Sequence, residues 1–138
     1  MGVWMRAGLG VLGGAVLLVA MRAALAEDDL PPKLAFVAEL QKAVGADDKE
    51  WLVAHLHFPV HYYGAKTTLL RSKAQFLKRY ATVIGPELKA AVLGQDINSV
   101  FENWQGLMIG DGSRNIWVRD FGADLEPKYE IITINDSK

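Results

Sequence analysis

The chain has no cysteine, and only three of its 138 residues are histidine. The absence of thiols removes disulfides, thiolate nucleophiles, cysteine-ligated metals and thiol redox chemistry together. Charge of one sign is also lacking, with fifteen Lys and Arg against sixteen Asp and Glu, a net of −1. Nucleic-acid binding needs basic residues clustered on a surface to displace counterions, so no nucleic-acid partner is expected. No internal repeat or low-complexity segment occurs. Serine hydrolase chemistry has no Gly-x-Ser-x-Gly elbow to sit on: Ser72 reads as a helix cap, and Ser99 and Ser113 as turn residues. Gly110-Asp111-Gly112 lacks the spacing of a phosphate loop or a dinucleotide fingerprint.

What is present begins with an unusual first quarter. Met1 to Arg6 carries one positive charge, and Gly8 to Met21 is an unbroken run of apolar and Gly residues. Ala24-Leu25-Ala26 then offers the small-x-small pattern of a signal peptidase site, and Glu27-Asp28-Asp29 turns acidic. This is the order of a secretory signal. The run is too short for a spanning helix, which needs roughly 20 apolar residues. The expectation is a cleavable signal peptide over 1–26 and one domain over 27–138, periplasmic or secreted, with no membrane association after cleavage. With no cysteine after the signal, a lipid-modified N-terminus is not expected. Losing Arg6 and Arg22 takes fifteen basic residues to thirteen against sixteen acidic ones, a net of −3. A disulfide-free exported domain must rest on its core, and about 110 residues can bury roughly two-thirds of their unfolded surface.

Periodicity organises the rest. Pro31-Pro32 suits a helix start, and Phe36, Val37, Leu40, Ala43 and Val44 recur at helical spacing up to Gly45, which is read as the closing residue. Asp47 with Glu50 three residues on reads as a capping box for a short second helix ending before Pro59. Phe58, Val60 and Tyr62 alternate with their neighbours, predicting a hairpin across 58–70 about Gly64. Ser72 to Gln75 is a second capping box, opening a helix with Phe76, Leu77, Tyr80 and Ile84 inward. Gly85-Pro86 interrupts it, and a turn or two more runs to Gly94. Strands are expected over Val100–Ile109, Asn115–Phe121 and Tyr129–Asn135, with Gly110 to Ser113 as a hairpin turn and with Ile132 and Ile134 sharing a face. Helices early and strands late predict an α+β fold, its helices covering one face of a curved antiparallel sheet.

Three segments carry a family resemblance: Phe58-Pro59-Val60 before a hairpin, Ser72-Lys73-Ala74-Gln75-Phe76 opening a helix, and Asn103-Trp104-Gln105-Gly106-Leu107-Met108-Ile109-Gly110-Asp111-Gly112 at the sheet hairpin. With the closing strand Ile131 to Asn135, their order over residues 32–135 resembles small exported bacterial members of the nuclear-transport-factor-2-like superfamily. The resemblance implies a cone-shaped fold, a secreted setting and a possible homodimer formed through the sheet. It implies no activity, because that fold hosts enzymes and passive binders alike.

Candidate sites are few. His55, His57 and His61 invite a metal reading, but residues 57 and 61 of an extended strand lie about 13 Å apart at ~3.3 Å per residue. Two ligands at most can meet there, so no metal and no cofactor is expected. Tyr62, Tyr63 and Tyr80 with Trp51, Trp104 and Trp117 either line a cone or fill it as core. As a lined cone, the ligand-binding set would be Tyr62, Tyr80, Trp104, Trp117, His61 and Asp120. Asp111, Asp120 and Asp124 could each supply a base, with Arg114 or Arg119 as an anion clamp. Asp111 is better read as a turn residue, and no catalytic residue is assigned. Lys73, Lys78 and Arg79 read as a solvated helix face. The expected function is an exported module that binds a small apolar ligand or a protein partner. The alternatives are an isomerase- or dehydratase-type enzyme using the cone, and an inhibitor or immunity protein against an exported toxin or hydrolase. N-terminal mass mapping of the exported protein is expected to find Glu27 first; an intact Met1 would overturn the signal assignment.

Overall fold

The computed structural model describes residues 29–137, so the expected signal segment and its cleavage point lie outside the described residues. Helix α1 (Pro32–Gly45) starts on Pro32 and buries Phe36, Val37, Leu40, Ala43 and Val44, the stripe that the spacing predicts. Its end differs from expectation. The left-handed closing residue is Asp47, at φ 53°, and not Gly45. Asp47 N–H donates to Val44 O at 3.4 Å and Asp48 N–H to Ala43 O at 2.9 Å, the paired bonds of a Schellman closure. With Asp47 used in this way, Asp48 caps α2 (Lys49–Ala54), its carboxylate accepting from Trp51 N–H at 3.1 Å. The Asp47–Glu50 capping box does not form.

Strands β1 (Leu56–Tyr63) and β2 (Thr67–Leu70) make the expected hairpin about Gly64. Helix α3 (Lys73–Lys78) is capped by Ser72, whose Oγ accepts from Gln75 N–H at 3.2 Å. Gln75 reaches one residue further back than the box predicts, accepting from Arg71 N–H at 2.7 Å. The helix breaks at Arg79 and resumes as α4 (Tyr80–Val83), so Phe76, Tyr80 and Ile84 are buried while Leu77 stays exposed. Pro86 opens α5 (Pro86–Leu93).

A single turn of 3₁₀ helix (Ile97–Ser99) then leads into four strands rather than three. These are β3 (Phe101–Asn103), β4 (Gly106–Gly110), β5 (Arg114–Asp120) and β6 (Tyr129–Asp136). The expected strand over 100–109 folds back on itself at Trp104-Gln105. Asn103 Oδ1 accepts from Gln105 N–H at 2.8 Å, and Gly106 adopts φ 134°, where a Cβ would lie 2.1 Å from Val118 O. No side chain fits there.

The six strands form one curved open sheet in the order β2-β1-β6-β5-β4-β3. The fold is α+β as expected, but the sheet is mixed. Four neighbouring pairs are antiparallel, and β1 runs parallel to β6. Three successive hairpins carry the chain from β3 to β6, so β6 runs opposite to β3, and it docks beside β1 in the same direction.

The two faces of the sheet differ sharply. Tyr62, Ile134, Ile116 and Ile109 are cross-strand partners facing the helices, all buried. Along β5–β6 the register slips by one, Trp117 pairing with Thr133 and Val118 with Ile131. The extra residue, Ile132, is a bulge. It places Ile131 with Ile134 on the buried face, in place of the expected Ile132–Ile134 pair. Helix α5 packs on β4 and β5, and α1 packs on α5. Gln41 clamps these two helices, its Nε2 donating to Val92 O at 3.0 Å and to Gln95 O at 2.7 Å, carbonyls at and just beyond the end of α5. Leu40, Val44, Leu52, Val60, Phe76 and Leu88, each fully shielded from solvent, fill the space between helices and sheet.

Truncating Ile134 to Ala removes a fully buried side chain from the centre of this layer. The expected loss is about 2–5 kcal/mol in urea unfolding, whereas Thr133→Val, at the preceding residue and facing away, is expected to change stability by less than about 1 kcal/mol.

Candidate functional site

The six residues expected to line one cone do not meet. Tyr62 and Tyr80 are buried on the helix side of the sheet. Tyr62 donates its hydroxyl to Thr82 O at 3.1 Å, and burial pushes its pKa above the ordinary value. His61 and Trp117 lie on the opposite face, because their strand neighbours Val60, Tyr62, Ile116 and Val118 all point inward. Trp104 is at the tip of the β3–β4 turn and 86% exposed.

Asp120 is exposed and holds a loop. Its Oδ1 accepts from Gly122 N–H and Lys128 N–H, both at 2.8 Å, and these two bonds hold its pKa below the usual range. Asp111 behaves similarly in the β4–β5 turn, accepting from Arg114 N–H at 2.7 Å and Ser113 N–H at 2.9 Å. This is the turn role read for it from the sequence. Neither expected anion clamp is vacant. Arg114 pairs with Glu87 and with Asp136 at 3.0 Å, and Arg119 donates to Gln105 O at 3.1 Å.

The histidines diverge. His55 Nδ1 lies 2.7 Å from Trp51 O with its ring stacked on Trp51, His57 stacks on Phe121, and His61 sits on the outer sheet face beside Tyr63. Among the described residues, no three His, Asp or Glu side chains gather as a metal site would require. No described helix is long and apolar enough to cross a membrane.

Two surfaces emerge instead. On the outer sheet face the register lines up Leu69, His61, Thr133, Trp117, Met108 and Phe101 in one row, each the direct cross-strand partner of the next. The row crosses all six strands. Phe101 is 52% exposed and meets Trp117 edge to face, with ring centroids 6.2 Å apart. Beside the row Tyr63, Trp117, Ile132 and Asn135 line a depression of about 270 Å³. Asn115, the one buried polar side chain of the described core, lies under this face. It donates to Asp111 O at 2.6 Å and accepts from Asn135 Nδ2 at 2.7 Å, so both ends of its amide are satisfied.

The second surface lies on the helix side, around Asp47. Tyr80 Oη donates to Asp47 Oδ1 at 2.6 Å, and Lys89 Nζ donates to the same oxygen at 2.7 Å. Lys49 Nζ stands 4.9 Å from the centroid of the Tyr80 ring, a cation–π contact. The hydrogen bonds from Lys89 and then Tyr80 hold the Asp47 carboxyl below its ordinary 3.8. Burial, reinforced by the bond to Asp47, drives the Tyr80 phenol well above its ordinary 10.0. Asp47 therefore stays ionised and Tyr80 stays protonated at neutral pH, an arrangement that holds charge rather than exchanges protons. Nothing in the spacing of 47, 49, 80 and 89 signals this cluster. The only hint is a non-glycine residue just past a helix end, at the position that usually takes Gly.

Comparison of the chain with protein-family models, with curated proteins and with solved structures gave no match.

Because its pKa is depressed, Asp47 contributes stability that is present above about pH 4 and lost as pH falls through its folded value. Asn tolerates the left-handed backbone as Asp does, so Asp47→Asn removes the charge without straining the turn. The variant is expected to be less stable than the parent at pH 7, with the gap narrowing below pH ~4, followed by denaturant midpoints across that window.

Proposed function

We propose that the chain is an exported binding module of the nuclear-transport-factor-2-like kind, which acts through the outer face of its sheet and takes a second copy of itself as its first partner. One observation carries this reading: the Leu69–Phe101 row presents apolar and aromatic side chains at both ends, Leu69 on one side and Trp117, Met108 and Phe101 on the other, with His61 and Thr133 between them, and no described element covers it. Spacing of about 4.8 Å between six strands, and strands of seven or eight residues at the centre, give a patch roughly 24 Å on a side. Its projected area, near ~600 Å², underestimates a corrugated side-chain surface and approaches the ~800 Å² per partner of a stable interface. Arg119 and Glu130, cross-strand neighbours of opposite sign, border the patch. Two copies related by a two-fold axis can then meet without like charges facing.

The order of two helices, a hairpin, further helices and a four-strand meander supports the family reading, as does the docking of the last strand against the first. An isomerase- or dehydratase-type reaction needs a carboxylate or histidine turned into the apolar interior beside Tyr62. His61 and Asp120 instead face solvent, which favours binding over catalysis. A second reading, insertion of a loop into an exported hydrolase, draws on Leu125. That side chain is 94% exposed on a loop whose two ends are tied to Asp120.

Native mass spectrometry is expected to show twice the chain mass at micromolar concentration. The double substitution Phe101→Lys with Trp117→Lys is expected to return it to the single mass while the circular dichroism spectrum is kept. A parent protein that runs as a single chain under these conditions would refute the self-association.

A further inference from the structure

The helix-side cluster around Asp47 forms one end of a groove of about 580 Å³, within the ~300–1,000 Å³ range of small-molecule sites. Its other end is apolar, lined by Ile84, Pro86, Ala90 and Leu93. Leu93 is 48% exposed although it sits at the end of a core helix. A leucine held half in water beside an apolar wall is what a bound hydrocarbon would cover.

The polar end is not neutral. It holds two ammonium groups, Lys49 and Lys89, and one carboxylate, Asp47. Asp47 and Lys89 satisfy each other, and Tyr80 adds its hydroxyl to the same carboxylate oxygen. Lys49 is held over the Tyr80 ring and, among the described residues, has no ion-pair partner. One uncompensated positive charge therefore stands at the mouth of an apolar groove. A cationic ligand is repelled there, and the ring face that could receive it is already occupied by Lys49. A free phosphate would find too little charge and would desolvate the apolar wall to no advantage.

We propose that this groove binds an amphipathic monocarboxylate, with the carboxylate on Lys49 and the hydrocarbon chain along Ile84, Ala90 and Leu93. The left-handed Asp47 fixes the anchor, since its backbone position, the phenol and Lys89 are locked together before any ligand arrives. Asp47 stays charged and Tyr80 stays protonated, so the site holds its ligand without transforming it. It lies on the helix side of the sheet, away from the face assigned to self-association, and the two assignments can fail separately.

The test is a titration of the ¹⁵N-labelled protein, as recovered from the expressing cell, with sodium decanoate below its micelle concentration. Saturable amide shifts are expected at Lys49, Ala81, Lys89, Ala90 and Leu93. Lys49→Gln, at an exposed position, is expected to raise the Kd about fivefold, the scale of a partly exposed ion pair. Leu93→Glu is expected to abolish the shifts, and Phe101→Lys to leave them unchanged. Shifts confined to the outer sheet face would overturn the proposal. So would decanol binding as tightly as decanoate, or a Kd that does not respond to Lys49→Gln.

Discussion

The ladder between β1 and β6 joins parts of the chain that nothing else in the backbone would bring together. His61, Tyr62 and Tyr63 pair with Thr133, Ile134 and Asn135, and Ile131 N–H donates to His55 O at 2.6 Å. Without this seam the molecule would be a separate four-strand meander and a two-strand hairpin, and the hairpin would be marginal alone. With it, Val60 and Tyr62 join Ile134, Ile116 and Ile109 as one continuous floor on which α5 lies. Both the outer row and the Asp47 groove depend on that floor. The outer row exists because its residues pair directly from β2 to β3, on one side of the slip at Ile132, and the Asp47 groove exists because α4 and α5 are held at a fixed height above the sheet. The contacts that make the seam are far apart in sequence, so its closure carries a large loop-entropy cost and is expected late in folding.

Asp47 shows how one backbone choice reorganises its surroundings. Most helices that end in a Schellman closure use Gly at this position, since a side chain there adds strain. In this chain the strained residue gains two hydrogen bonds to its carboxylate from helices that follow it by more than thirty residues. A local irregularity at the end of α1 thereby becomes a tertiary joint. The next residue, Asp48, takes over the capping duty.

The sequence was a good guide where the signal is local and periodic. The α1 stripe, the Ser72 cap, the hairpin about Gly64 and the Asp111 turn all follow from residues within a few positions of one another. Legibility failed where partners are distant. The parallel β1–β6 pairing cannot be read from alternation, because alternation is the same in either direction. The bulge at Ile132 cannot be read either, and it exchanges which isoleucine is buried. The fold-back at Trp104 was readable in principle, since Asn103 and Gly106 bracket two residues in the manner of a tight turn. An apolar stretch from Leu107 to Ile109 masked it and made one long strand look natural. The candidate site suffered most. Six aromatic and polar residues chosen for one cone are distributed over two sheet faces, a turn tip and a loop, because strand direction decides side-chain placement and strand direction is set by the core.

The two outermost strands are short: β2 has four residues and β3 has three. Each leaves only a few free backbone donors and acceptors for a foreign strand to pair with. Lengthwise accretion into fibrils by strand addition is thus poorly supported at both margins, even though the chain carries a broad aromatic surface and no disulfide to restrain it. The margins therefore leave the faces of the sheet, rather than its edges, as the surfaces open to a partner.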